Sequence, residues 1–335
     1  MPELNSPEIV STIHQTNMQP TKPVSETAVD PNAAEAALQQ HVDQLLRDLM
    51  LPENQDRLES FRFTGSTNRV YRIPLGEEGK EFIILKLLPP AHVYYRKRMK
   101  RFLRNILYGE HYVSAGSKRV QLEISRCKEW RENGLSVPQA IEVSVPGARV
   151  FKGLPFPTFF TILSNPAIAD DRKLEVLAAV VRSLALQHRI AFEKDRQGFV
   201  HGDPGPWNIM FDRDTMTTYW FDLEHPEHYP RMTVVDLMVR ALRIFVYGVL
   251  DHMEHRTDDV LTVVAQNYSN DFVLWRLIDD MQAKKSSLLI RAMETMKLKK
   301  GRSDRRKRIA TQLAQAIHAR DLASGARNIL QGIYE

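Results

Sequence analysis

Two aspartates and an asparagine with metal-binding potential share one stretch, His201–His225, which reads HGDPGPWNIMFDRDTMTTYWFDLEH. Asp203 follows His201-Gly202, Asn208 lies five residues further on, and Asp222 fourteen residues beyond that. Between the last two, the apolar runs Ile209-Met210-Phe211 and Tyr219-Trp220-Phe221 flank the polar Asp212-Arg213-Asp214. Short apolar runs on either side of turn-forming residues predict a β-hairpin. Such a hairpin folds Asp222 back beside Asn208 at the open end of its strands, with the Asp203 carboxylate close by. Magnesium is held by one or two hard oxygen ligands and completed by phosphate oxygens. A carboxylate beside that ion is suited to orienting and deprotonating a hydroxyl. The chemistry expected here is phosphoryl transfer.

The pattern His-x-Asp-x4-Asn, followed by a hairpin and Phe221-Asp222, resembles the catalytic loop and metal-binding aspartate of the protein-kinase-like superfamily. With Gly202 where ordinary protein kinases have arginine, it is most similar to the atypical branch. That branch holds aminoglycoside and choline kinases, lipopolysaccharide-core (Kdo) kinases and the small atypical kinase of tRNA modification. The resemblance covers roughly residues 60–250. It implies an α+β, two-lobed fold, with a small β-rich N-terminal lobe and a larger, mainly helical C-terminal lobe. It also implies ATP and Mg2+ as cofactors, Asp203 as the catalytic base, and Asn208 and Asp222 as the metal ligands. His201 would brace the loop, and Glu224 is a candidate for a second metal.

The nucleotide-binding residues implied by the resemblance lie upstream. Lys86, in Ile83-Ile84-Leu85-Lys86-Leu87-Leu88, has the apolar strand context of the lysine that pairs with the α- and β-phosphates. An unpaired ammonium is costly to bury, so the residue either has a partner or points to solvent from an edge strand. Glu123 matches the family's partner glutamate by its distance from Trp130 and Gly134-Leu135-Ser136-Val137-Pro138, with Glu129 as the fallback. Gly65, Ser66 and Thr67 sit where the family places its phosphate-covering loop, and backbone N–H groups and small hydroxyls can cradle phosphate there. Phe159–Leu163 is expected to be the last strand of the small lobe, with Ser164-Asn165-Pro166 as the adenine-reading hinge. His188 would be structural. Asp236 would hydrogen-bond the backbone of the catalytic loop.

Two departures bear on the acceptor. Gly202 removes the usual basic pocket for an activation-loop phosphate, and no Ala-Pro-Glu-like segment follows Asp222. The chain is therefore expected to phosphorylate a hydroxyl of a sugar, a glycolipid or another small molecule. The alternatives are an atypical Ser/Thr protein kinase and, from another class, a non-catalytic nucleotide-binding scaffold that contacts an anionic partner.

The elements around these residues are read from pattern. Residues 1–33 are polar and lack apolar periodicity, as expected of a disordered lead-in. Segment 34–165 is expected to form the nucleotide-binding lobe and 166–335 the catalytic lobe with a basic helical tail. Ala33–Met50, Gln121–Asn133, Leu174–His188 and Thr233–Leu250 have helical spacing. Strands are expected in Phe61–Ile73, in Glu81–Leu88, and in Ile141–Val145 within Glu142–Leu163 and its approach. The lone Cys127 excludes an internal disulfide. No apolar run reaches the roughly 20 residues of a membrane helix and no secretory signal is visible. A cytoplasmic protein, with peripheral contact at the inner face of the membrane, is the expectation.

Net charge is +5 but unevenly spread: Tyr94–Tyr108 holds six basic residues and no acidic one, and Lys297–Arg308 holds eight with one aspartate. Each stretch is either a solvated face or a contact for an anionic sugar, lipid head group or nucleic acid, the last being the least favoured. The remainder of the chain is net acidic.

Overall fold

Alternation along the strands decides which side chains the small sheet offers to each side. The computed structural model describes residues 31–62, 69–76, 78–87, 116–223, 229, 232–283 and 302–334. For 31–32, 116–120, 302–303 and 325–334, that description is of the backbone alone. Strands β1 (Arg69–Leu75), β2 (Glu81–Leu87), β3 (Ala140–Ile141) and β4 (Ala148–Lys152) form an antiparallel sheet in the order β1-β2-β4-β3. Successive strand residues point to opposite faces. Ile83, Leu85 and Val150 face one way with Tyr71 and Ile73. They pack on Val42, Leu46 and Leu49 of α1 (Pro31–Leu49) and on Leu58 of α2 (Gln55–Ser60).

Lys86, Arg149 and Phe151 take the opposite face, toward α3 (Gly116–Glu132), and Lys86 and Arg149 are direct partners in the β2–β4 register. Cys127 and Trp130 of α3 join Phe151 in the larger hydrophobic cluster. Trp130 is 1% exposed and donates its indole N–H to the Gly198 carbonyl at 3.1 Å. Burying such a ring contributes on the order of 4–6 kcal/mol of transfer energy, an upper bound.

The larger cluster is organised by α5 (Asp170–Glu193). Against it pack the hairpin β5 (Ile209–Asp212)–β6 (Thr217–Trp220) and the helices α6 (Val234–Leu250) and α7 (Thr257–Asn267), and outside these lie α8 (Asp271–Gln282), on α6, and α9 (Arg302–Tyr334), on α7 and α8. The fold is mixed α+β. Among the described residues, no helix is long and apolar enough to cross a membrane.

Three sequence expectations are corrected. Phe159–Leu163 is not a strand but most of a helix, α4 (Phe159–Ser164). Its Phe159, Ile162 and Leu163 are buried at i, i+3 and i+4, a helical period, and Thr158 caps it by accepting from Thr161 N at 3.1 Å. Ser164-Asn165-Pro166 therefore ends and leaves a helix of the larger cluster and is not a link at the sheet's edge. The chain leaves the sheet at Lys152. Gly153 N still bonds the Phe82 carbonyl (2.7 Å), and Pro157 accepts from Phe211 N (3.1 Å), so 153–157 runs from the sheet to the hairpin.

The second correction concerns Ile141–Val145, of which only Ala140–Ile141 pairs as a strand, while Val143 and Val145 pack beside the smaller cluster. The unpredicted strand is Ala148–Lys152, where a charged Arg149 interrupts the apolar run. The third is Asp236. Its carboxylate bonds Thr233 N (3.0 Å) and Thr233 Oγ1 (2.8 Å) in a reciprocal cap of α6, and not the loop that contains Asp203. Thr233-x-x-Asp236 is itself the sequence signature of that cap.

Candidate active site

The stretch from His201 to Asp222 is held by its own local bonds. His201 is 1% exposed, and its ring sits between Trp130 and Trp220. Asp203 N donates to His201 Nδ1 at 3.1 Å, which leaves the ring proton on Nε2, where it is donated to the Phe221 carbonyl at 2.9 Å. One neutral imidazole thus joins the two ends of the stretch. Burial, opposed by the bond to Phe221 and the nearby Asp222 and Asp203 charges, holds the imidazole below the usual histidine range. Gln187 of α5 accepts from His201 N at 3.1 Å.

After Asp203 the chain makes a 3-10 turn at Pro206–Asn208. Asn208 Nδ2 donates to the Asp203 carbonyl at 2.9 Å, and Phe221 N donates to the Asn208 carbonyl at 3.2 Å. The β5–β6 register pairs Ile209 with Trp220, so Asn208 and Phe221-Asp222 stand side by side at the open end of the hairpin. At its closed end, Asp212 accepts from Asp214 N (3.0 Å) and Thr215 Oγ1 (2.7 Å). Asp222 has φ 64, a left-handed conformation uncommon for a residue with a side chain. Such a residue persists only where its surroundings over-determine it, which is characteristic of functional sites.

Other elements complete the site from above. Lys86 Nζ lies 2.7 Å from Glu123 Oε1 and 3.0 Å from Asp222 Oδ1. Burial works against the ammonium, but the Glu123 and Asp222 carboxylates outweigh it and the like charge of Arg149, so its pKa is raised and the lysine stays charged. Glu123 is 1% exposed, and its Oε2 accepts from Arg149 Nη1 at 2.5 Å. Arg126, one turn along α3, donates to the Leu223 carbonyl at 3.1 Å. Glu129, the fallback, instead pairs with Arg196.

Lys86 is thus in direct contact with both Glu123 and Asp222, with Asp203 and Asn208 tied to the Phe221-Asp222 segment through His201 and Phe221. Gly65, Ser66, Thr67, Glu224 and Tyr94–Tyr108 lie outside the described residues. So do Lys297–Gly301; of the rest of that basic stretch, Arg305 pairs with Asp251 (2.9 Å) and Arg308 with Glu254 (3.6 Å). His188, fully buried, meets the Tyr268 hydroxyl at 2.6 Å; burial pushes its pKa down to about 3.

Sequence reasoning did not single out Arg149, Arg126 or Trp207. Trp207 Nε1 is 3.5 Å from Asp203 Oδ2, and the indole lies against Gly205, where a Cβ would meet the ring at 2.3 Å. The ring is 46% exposed. Adjacency to Asn208 was the available signal for Trp207. Arg149 had only the oddity of a charge in an apolar run.

The donor set suits a hard ion completed by phosphate. Asn208 has its amide nitrogen engaged, which leaves the side-chain oxygen available as a ligand atom, and Asp222 adds a carboxylate that is 31% exposed. Among the described residues, no group of three or more His, Cys, Asp or Glu is placed to enclose a metal. Magnesium needs no such cage when phosphates supply the remaining oxygens. No protein-family model matches the chain, and no curated protein matches it.

Proposed function

We propose that the chain is an ATP- and magnesium-dependent phosphotransferase with a two-lobed, protein-kinase-like fold, acting on a hydroxyl of a sugar, a glycolipid or another small molecule. The observation that carries this reading is the bridge made by Lys86 between Glu123 and Asp222, two carboxylates 99 residues apart. A structural ion pair needs one partner. Here one lysine links a carboxylate of the helix behind the sheet to a carboxylate in a strained loop, beside an amide and a second aspartate.

In this reading Lys86 exchanges its contact with Asp222 for the α- and β-phosphates while Glu123 keeps it oriented. Asn208 and Asp222 would hold magnesium, which would supply charge neutralisation at the transferring phosphate. Asp203 orients the acceptor hydroxyl and takes its proton. His201 keeps Asp203 and Asp222 in register through the two bonds of a single ring. Gly202 supports a small-molecule acceptor, because no arginine follows His201 to receive an activation-loop phosphate.

The test is transfer from γ-labelled ATP with magnesium to lipid, sugar and protein fractions, comparing wild type with Asp203→Ala. Label in a lipid or sugar fraction that depends on Asp203 supports the reading. Equal, background-level incorporation by both proteins in every fraction overturns it. Label confined to protein would move the acceptor to a polypeptide.

A further inference from the structure

We infer that Arg149 is a positioning residue for the phosphate grip: it holds the second oxygen of Glu123, so that the Lys86–Glu123 pair stays assembled whether or not Lys86 is in contact with Asp222. The inference rests on the phosphotransferase reading above.

Lys86 of β2 and Arg149 of β4 are directly opposed across an antiparallel pair, on the same face. Like charges directly opposed on one face repel and destabilise the pairing. Both are also removed from water, Lys86 at 8% and Arg149 at 1% exposure. Such a juxtaposition is tolerated only with an anion between the two. Glu123 is that anion, with one oxygen on each cation at 2.7 Å and 2.5 Å.

A carboxylate bound at one oxygen can still rotate about its last torsion. Bound at both, by donors anchored in two neighbouring strands, it has one orientation. A charged arginine donor also makes one of the stronger hydrogen bonds available. The consequence concerns the moment when Lys86 leaves Asp222. With Arg149 in place, Glu123 is already fixed and Lys86 moves about a fixed anchor. Without it, Glu123 is held by Lys86 alone, and the same movement loosens helix α3 from the sheet.

Arg126 on α3 and the indole bond of Trp130 tie the same helix to Leu223 and Gly198. Both ties lie on the C-terminal side of Glu123, so that half of the helix is secured independently of the contact between Lys86 and Asp222.

The test is a double-mutant cycle read by equilibrium binding of the magnesium complex of adenylyl imidodiphosphate, an ATP analogue that is not hydrolysed at its β–γ bridge. The proteins are wild type, Arg149→Met, Glu123→Gln and the double variant, each checked for native circular dichroism. Arg149→Met is expected to weaken binding about tenfold in the wild-type background and less than twofold in the Glu123→Gln background, since residues acting through one another are non-additive. Arg149→Lys, which keeps a cationic donor, is expected within about threefold of wild type.

Equal losses in both backgrounds, or no loss in either, overturn the inference. If Arg149→Met does not fold, Arg149→Gln takes its place in the cycle. Absence of binding by wild type itself overturns the phosphotransferase reading, and the role of Arg149 falls with it. That result is distinct from tight wild-type binding with an unaffected Arg149→Met.

Discussion

The two halves of the candidate site are held together by different means. The lower half, His201 to Asp222, is one continuous stretch whose ends are joined by the His201 ring and by Phe221 N on the Asn208 carbonyl. The upper half joins Lys86, Glu123 and Arg149, residues of three elements that meet only because the β2–β4 register and the docking of α3 bring them together. One half is local and mostly neutral in its bonding; the other is long-range and ionic. Local bonding gives the lower half its shape, while Gln187 on His201 N, Pro157 on Phe211 N and Ser136 on Trp220 N seat it in the fold. The upper half exists only if the sheet and α3 are both in place, which couples the Lys86–Glu123–Arg149 cluster to the folding of the sheet.

The largest effect should come from the lower half. Asp203→Asn, nearly isosteric, should lower transfer by about a thousandfold, within the range of a lost general base, with nucleotide affinity little changed. Transfer within tenfold of wild type would remove Asp203 from the chemistry. Lys86→Met should act in the other half and lower kcat/KM for ATP by about a hundredfold. Because Lys86 is held charged by Glu123 and Asp222, wild type should show no alkaline loss of activity from this lysine below pH about 10.

Gly205→Ala probes the lower half without touching an ionisable group. The added Cβ must displace the Trp207 indole. A loss of about 1–3 kcal/mol in denaturant unfolding, typical of overpacking, is expected together with altered acceptor KM. An unchanged unfolding midpoint would mean that Trp207 moves aside freely.

Acid sensitivity should come from histidines of the larger cluster. His188 is neutral in the fold, with a pKa pushed down to about 3, and an unfolded histidine protonates near 6.5. Its contribution to stability is complete above about pH 6.5 and declines as the pH falls toward 3, with a slope of up to about 1.4 kcal/mol per pH unit. His188→Phe should flatten that slope in unfolding measured at several pH values. The smallest effect is expected from Thr233→Ala, which removes the α6 cap at a cost of about 1 kcal/mol, read as a lowered Tm.

The same contrast explains how much of the molecule was legible in its sequence. Hairpin geometry is set by turn chemistry and by alternation over a dozen residues, so the neighbourhood of Asn208 and Asp222 could be read directly. Helical periods placed α1 and α6 to within two residues, while α3 starts five residues earlier than expected and α5 starts four residues earlier and runs five residues past His188. Phe159–Leu163 misled because a short apolar run has no period of its own. Its helical state depended on the Thr158 cap and on a core that receives Phe159, Ile162 and Leu163 together. Asp236 was assigned to a distant partner when the one three residues away sufficed.

Sequence alone determined the local geometry of the lower half, because its spacing and turn residues act over short distances. It also marked Lys86 as a residue in need of a partner, since an ammonium in an apolar strand is costly unless paired. Tertiary structure alone decided that Arg149 lies directly opposite Lys86, that Glu123 bridges both, and that Arg126 reaches the carbonyl just after Asp222. Register and helix docking are long-range choices, fixed by how two hydrophobic clusters fill the two faces of one sheet, and no local pattern encodes them.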